Sequence, residues 1–141
     1  LYSSNVELIS KRYKDIIYLG YTNPKEANEI ISNYEWALLP INDEATKYSF
    51  PSKTSSYLSC GLKILLICSS QTSIAKWLIK NKFGINVNPN LDNLVDTFFQ
   101  IENGLQIEIN KNLKYDYSIK YYTDNLYNIL LNKKINLNES C

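Results

Sequence analysis

The stretch Leu62-Lys-Ile-Leu-Leu-Ile-Cys68 constrains the fold of this chain more than any other. It is almost continuously apolar and β-favouring, yet far shorter than the roughly 20 residues a membrane helix requires. Such a run suits a buried strand. Helical patterns flank it. Residues 51–60 have helical spacing and stop at Gly61, a natural residue for the position after a helix end. Residues 69–73 (SSQTS) form a polar turn into a helix with Ile74, Trp77 and Leu78 on one face, ended by Gly84.

The same alternation extends in both directions. Residues 5–13 are weakly helical. Residues 15–21 (DIIYLGY) read as a short strand. Thr22-Asn23-Pro24 then marks a helix start, a polar cap followed by proline in the first turn, and this helix carries Ala27, Ile30 and Ile31 to about Asn33. Residues 35–41 (EWALLPI) read as a strand stopped by Pro40, and residues 42–48 as a polar loop. Residues 84–87 are a brief strand broken by Pro89-Asn90. Residues 91–101 form an amphipathic helix with Leu91, Leu94, Val95, Phe98 and Phe99 facing inward. Residues 103–112 have no clear pattern. Residues 115–131 form a final helix with a stripe of Ile119, Tyr122, Leu126, Ile129 and Leu130. Residues 1–133 thus make one α/β domain, and 134–141 a polar tail. Short strands separated by helices imply right-handed crossovers and a parallel sheet. In such sheets ligands bind beyond the carboxyl ends of the strands. That directs attention to residues 40–52, 68–73 and 87–90.

Composition narrows the chemistry. With 15 basic and 14 acidic residues, the net charge of +1 gives no electrostatic footprint for nucleic acid. The chain has no histidine, so Ser–His–Asp and Cys–His arrangements are excluded, and the commonest metal ligand is absent. Cys60, Cys68 and Cys141 show no metal-ligand spacing. Cys60 and Cys68 lie in apolar stretches and read as free buried thiols, which suits a reducing compartment. There is no glycine-rich phosphate loop and no dinucleotide fingerprint. A chain that starts at Leu1 and lacks methionine is expected to be part of a longer product.

Three loops carry candidate residues. Pro51-Ser52-Lys53 opens a helix whose first N–H groups and partial positive charge, with the Lys53 ammonium, suit a phosphate; the plain alternative is a helix start with a solvated lysine. Ser70, Thr72 and Ser73, in the turn 69–73, offer hydroxyls and amides for a diphosphate; the alternative is ordinary N-capping. Asp43 and Glu44 form a carboxylate pair able to do acid–base work; the alternative is a solvated turn.

At this level of detail the sequence resembles a family. Residues 50–66 (FPSKTSSYLSCGLKILL) resemble the "PSK…EYLA-x-G-x-PVL" segment of the group-1 nucleotide-sugar glycosyltransferases. Glu35-Trp36-Ala37-Leu38-Leu39-Pro40 is similar to the preceding "aDv-x-l-P" strand, and Tyr18-Leu19-Gly20 to the "v-x-f-x-G" strand. Ile74-Ala75-Lys76-Trp77 and Phe83-Gly84-Ile85-Asn86-Val87 resemble the next helix and the "G-x-x-V" strand, and the helix with Tyr127 the C-terminal helix. The ordered set spans residues 15–131. Its forms look most like bacterial surface-polysaccharide enzymes and, faintly, galactofuranosyl-type transferases.

The resemblance implies a GT-B fold, two facing Rossmann-like domains, of which this chain is the C-terminal, donor-binding half. It implies a UDP- or GDP-linked sugar donor, a glycan or lipid-linked acceptor held largely by the absent N-terminal domain, and no metal or other cofactor. Pro51, Ser52, Lys53, Ser70, Thr72 and Ser73 would then lie near the donor phosphates and sugar. Pro40, Ile41, Ser56 and Tyr57 would lie near the base and ribose. No catalytic residue is assigned. The implied setting is the cytoplasm, with peripheral association of the full protein at the inner membrane face compatible with it. The family's Glu-x7-Glu pair is replaced here by Tyr48 and Ser56. A serine makes fewer hydrogen bonds to a ribose diol than a carboxylate. Two other readings remain open: a non-catalytic GT-B-like interaction domain, and a nucleotide-sugar epimerase, which the lack of histidine disfavours.

Overall fold

The computed structural model describes residues 2–109, 120, 123–128 and 131. Its centre is a parallel sheet of three strands, β1 (Trp36–Pro40), β2 (Lys63–Ile67) and β3 (Gly84–Val87), in the order β1-β2-β3. Trp36 pairs with Lys63 and Pro40 with Ile67, while Ile64 pairs with Gly84 and Ile67 with Val87. Helices α1 (Tyr2–Arg12) and α2 (Pro24–Ile31) precede the sheet, α3 (Lys53–Ser59) joins β1 to β2, α4 (Ser73–Lys80) joins β2 to β3, and α5 (Leu91–Glu102) follows. The protein is therefore an α/β structure with a small open parallel sheet flanked by helices.

Local chemistry sets the element ends. Asn23 caps α2, its side chain accepting from the Glu26 amide while the Glu26 carboxylate reaches back to the Asn23 amide, and Pro24 occupies the first turn. Such a reciprocal cap contributes about 1 kcal/mol. At the end of α3, Gly61 has φ +81°, and the Gly61 and Leu62 amides donate to Leu58 and Tyr57 carbonyls, as an αL helix stop requires. The helix α4 ends at Lys80, earlier than the sequence suggests. Lys82 takes the left-handed turn at φ +57°, leaving Gly84 as the first residue of β3.

Alternation along the strands separates the two sheet faces. Ile64, Leu66 and Cys68 of the β2 run point to one side with Leu39 of β1, where they meet Leu58 of α3, Ile74, Ala75 and Leu78 of α4, and Phe83. These side chains are essentially excluded from water. Each full burial of a leucine or isoleucine contributes about 1.5–3 kcal/mol, so this layer dominates the domain's stability. On the opposite face Leu65 is buried but Leu38 is 47% exposed.

Two expectations are corrected. Residues 15–21 form no strand. Their composition favours β structure, but a strand exists only when its backbone pairs with a neighbour, and β1 has no partner besides β2 among the described residues. Ile17, Leu19 and Tyr21 stay exposed. The helix at 91–101 forms as expected, yet Leu91, Val95, Phe98 and Phe99 are exposed rather than inward, and Leu94 is half-buried. The sheet stops at β3, so among the described residues nothing spreads over that face. Of the expected final helix, residues 120, 123–128 and 131 are helical. The rest of it, and the tail, lie outside the described residues. No helix among the described residues is long and apolar enough to cross a membrane.

Candidate functional site

The loops after the carboxyl ends of the strands gather polar side chains from three separate segments. Beyond β1 the chain continues through Ile41, whose amide donates to the Ile67 carbonyl, and then folds into a 3-10 turn at Ala45–Lys47. The Asn42 side chain accepts from the Glu44 amide, and Glu44 pairs with Lys47 at 2.7 Å. The chain returns at Phe50, which packs edge-on against Trp77 of α4 with ring centroids 4.8 Å apart; Trp77 in turn packs against buried Phe83 at 5.0 Å. This aromatic row fixes where α3 begins. Next to it Thr54, 1% exposed, donates its hydroxyl to the Pro51 carbonyl.

The β1 end and the start of α3 thereby enclose a cleft of about 400 Å³, whose lining includes Pro40, Ile41, Asn42, Pro51, Lys53 and Tyr57. One wall, completed by Leu38 and Leu39, is apolar and comes from β1. The other presents the Lys53 ammonium and the Tyr57 phenol, one helical turn apart on α3. Lys53 is exposed and has no ion-pair partner among the described residues. No Asp or Glu among the described residues lines the cleft. Burial pushes the Tyr57 phenol above its ordinary pKa, further from ionisation at neutral pH. Chemically the described lining is an apolar wall facing one lysine and a phenol, with Asn42 and Ser49 as further polar groups.

Of the residues singled out in the sequence, Pro40, Ile41, Pro51, Lys53 and Tyr57 come together in this cleft, although they derive from two separate segments. Ser52 is exposed and makes no capping bond, and Ser56 is half-buried; neither lines the cleft. Ser70, Thr72 and Ser73 lie in the neighbouring strand-end loop, outside its lining. There the Thr72 hydroxyl caps α4 by accepting from the Ala75 amide at 3.3 Å and donates to the Ser69 carbonyl at 2.9 Å.

Asp43 and Asn88 have roles that the sequence did not disclose. The Asp43 carboxylate accepts from the Ser69 amide at 2.9 Å, and the Asn88 side-chain oxygen accepts from the Ser70 amide at 3.1 Å. They tie the loops after β1 and β3 to the loop after β2. The available signal was the placement of an Asx residue just past each strand, where such side chains satisfy stray backbone amides.

Cys68 is buried at the end of β2, beside the Thr72 hydroxyl at 3.2 Å and the Asn86 amide group. Burial raises its thiol pKa, and the Asp43 charge adds to this against the opposing Thr72 and Asn86 hydrogen bonds, so it is a packed, protonated group. Cys60 and Cys68 are both free; Cys60 is half-buried. No group of His, Cys, Asp and Glu able to hold a metal ion occurs among the described residues.

Compared with known proteins, the chain matches no family model, no curated protein and no solved structure.

Proposed function

We propose that this chain is the donor-binding half of a GT-B glycosyltransferase, with a Rossmann-like sheet, that takes a UDP- or GDP-linked sugar in the cleft between β1 and α3. The observation that carries the reading is the convergence of Pro40, Ile41, Pro51, Lys53 and Tyr57 on one cleft at the carboxyl end of a parallel sheet. In open α/β sheets this is where ligands bind. The apolar wall suits the face of a base. Lys53 suits a phosphate and would stabilise the departing nucleotide as the glycosyl bond breaks, an electrostatic contribution that requires no proton transfer. The order of motifs along residues 35–87, each on the element expected for it, supports the same reading. The full protein would pass the sugar to a glycan or lipid-linked acceptor in cell-surface polysaccharide synthesis.

The cleft's lack of a carboxylate favours a second reading, a non-catalytic domain of the same fold used for assembly. Calorimetric titration of the chain with UDP, GDP and their sugar conjugates tests the first. Saturable binding of one nucleotide series at micromolar to millimolar Kd is the expected result. A folded chain that binds none of them would leave the second.

A further inference from the structure

The turn after β2 sits beside the cleft and, by sequence, offers hydroxyls and amides for a diphosphate. Four of its five backbone amides are already committed. The Ser69 amide is held by the Asp43 carboxylate, the Ser70 amide by Asn88, the Gln71 amide by the Ser69 hydroxyl at 3.3 Å, and the Thr72 amide by the Ser69 carbonyl at 3.1 Å. The Thr72 hydroxyl is committed too, to the Ser69 carbonyl and the Ala75 amide. The uncommitted groups of the turn, the Ser73 amide and the side chains of Ser70, Gln71 and Ser73, are exposed and neutral. A phosphate reaching the Ser69 amide would also have to displace a carboxylate and then sit beside its negative charge, which is unfavourable at any dielectric. Among the described residues lining the cleft itself, Lys53 is the lone cation.

From this we infer that the chain grips its nucleotide through one phosphate only, so that the recognised unit is a nucleoside monophosphate. The inference rests on the nucleotide-binding reading above and narrows it. The base lies on the β1 wall, one phosphate meets Lys53, and any second phosphate, with the sugar attached to it, projects past the turn into water or toward other parts of the full protein. The Asp43–Ser69 and Asn88–Ser70 bonds thus occupy the first amides of the turn and set a carboxylate beside them, which disfavours an anion there.

The test is a titration series on the 141-residue chain: uridine, UMP, UDP, and guanosine, GMP, GDP, at one ionic strength, with circular dichroism establishing that the chain is folded. The inference predicts that within the preferred base the mono- and diphosphate bind within about threefold of each other, while the nucleoside binds at least tenfold more weakly. A diphosphate that binds tenfold or more tightly than the monophosphate would overturn it while leaving the nucleotide-binding reading intact. A folded chain that binds no nucleotide would overturn both.

Discussion

Replacing Gly84 with alanine is expected to lower the stability of the domain by about 3 kcal/mol or more, a large share of the roughly 5–15 kcal/mol that such a domain has. Gly84 opens β3 opposite Ile64, a fully buried residue of the core strand β2. A Cβ built there would lie 1.9 Å from the Ile64 carbonyl oxygen, deep inside van der Waals contact with backbone that is itself held in the sheet. The backbone at this position, with φ +155°, is also one that L-residues rarely adopt. Relief would require β3 to move away from β2, breaking the Ile64–Phe83 hydrogen bond and lifting Phe83 out of the core. Gly61 supplies the contrast: its φ of +81° is left-handed, but a Cβ there would meet open space. Gly61→Ala should therefore cost only about 1–2 kcal/mol, from conformation alone. Urea denaturation of both variants checks this. Equal losses at the two positions would show that the clash at Gly84 is not what matters.

Lys53→Ala is expected to weaken nucleotide binding by about 10- to 100-fold, the range expected when a charge-assisted hydrogen bond of about 1.5–3 kcal/mol is removed. Lys53 is exposed and makes no ion pair among the described residues, so the same substitution should leave the melting temperature within a degree or two. Lys53→Arg should retain most of the affinity, because it keeps a cation at the cleft rim. Removing Lys76, exposed on α4 and outside the cleft lining, should change little. Calorimetry and thermal melts on the three variants separate a binding role from a structural one. An unchanged affinity in Lys53→Ala would remove the cation from the site.

The sheet was legible because its strands are marked independently of their context. The unbroken apolar run of β2, the helix stop at Gly61, and the caps Asn23 and Thr72 each state their own conformation. The mistakes fall where conformation depends on a partner. Residues 15–21 have strand composition but no paired edge, and the apolar stripe of α5 has helical period but no covering layer among the described residues. Periodicity reports that a face is apolar, not what meets it. For the cleft, Pro40, Ile41 and Pro51 were accessible to strand-end reasoning, since a parallel sheet fixes where its loops gather, and Lys53 to the helix start beside them; Tyr57 came only through the family resemblance. The hydrogen bonds within the 69–73 turn were not legible in the same way. A free amide and a committed one look identical in sequence, and only the approach of Asp43 and Asn88 from other loops decides between them.

Backbone amide shifts recorded by NMR during titration with UDP or GDP show whether the cleft between the end of β1 and the start of α3 holds a nucleotide. Saturable shifts concentrated at Ile41, Asn42, Ala45, Lys53 and Tyr57 are expected, with the amides of Ser69 and Ser70 moving little. Shifts centred on the 69–73 turn or on α5, or none at all at saturating nucleotide, would contradict binding there.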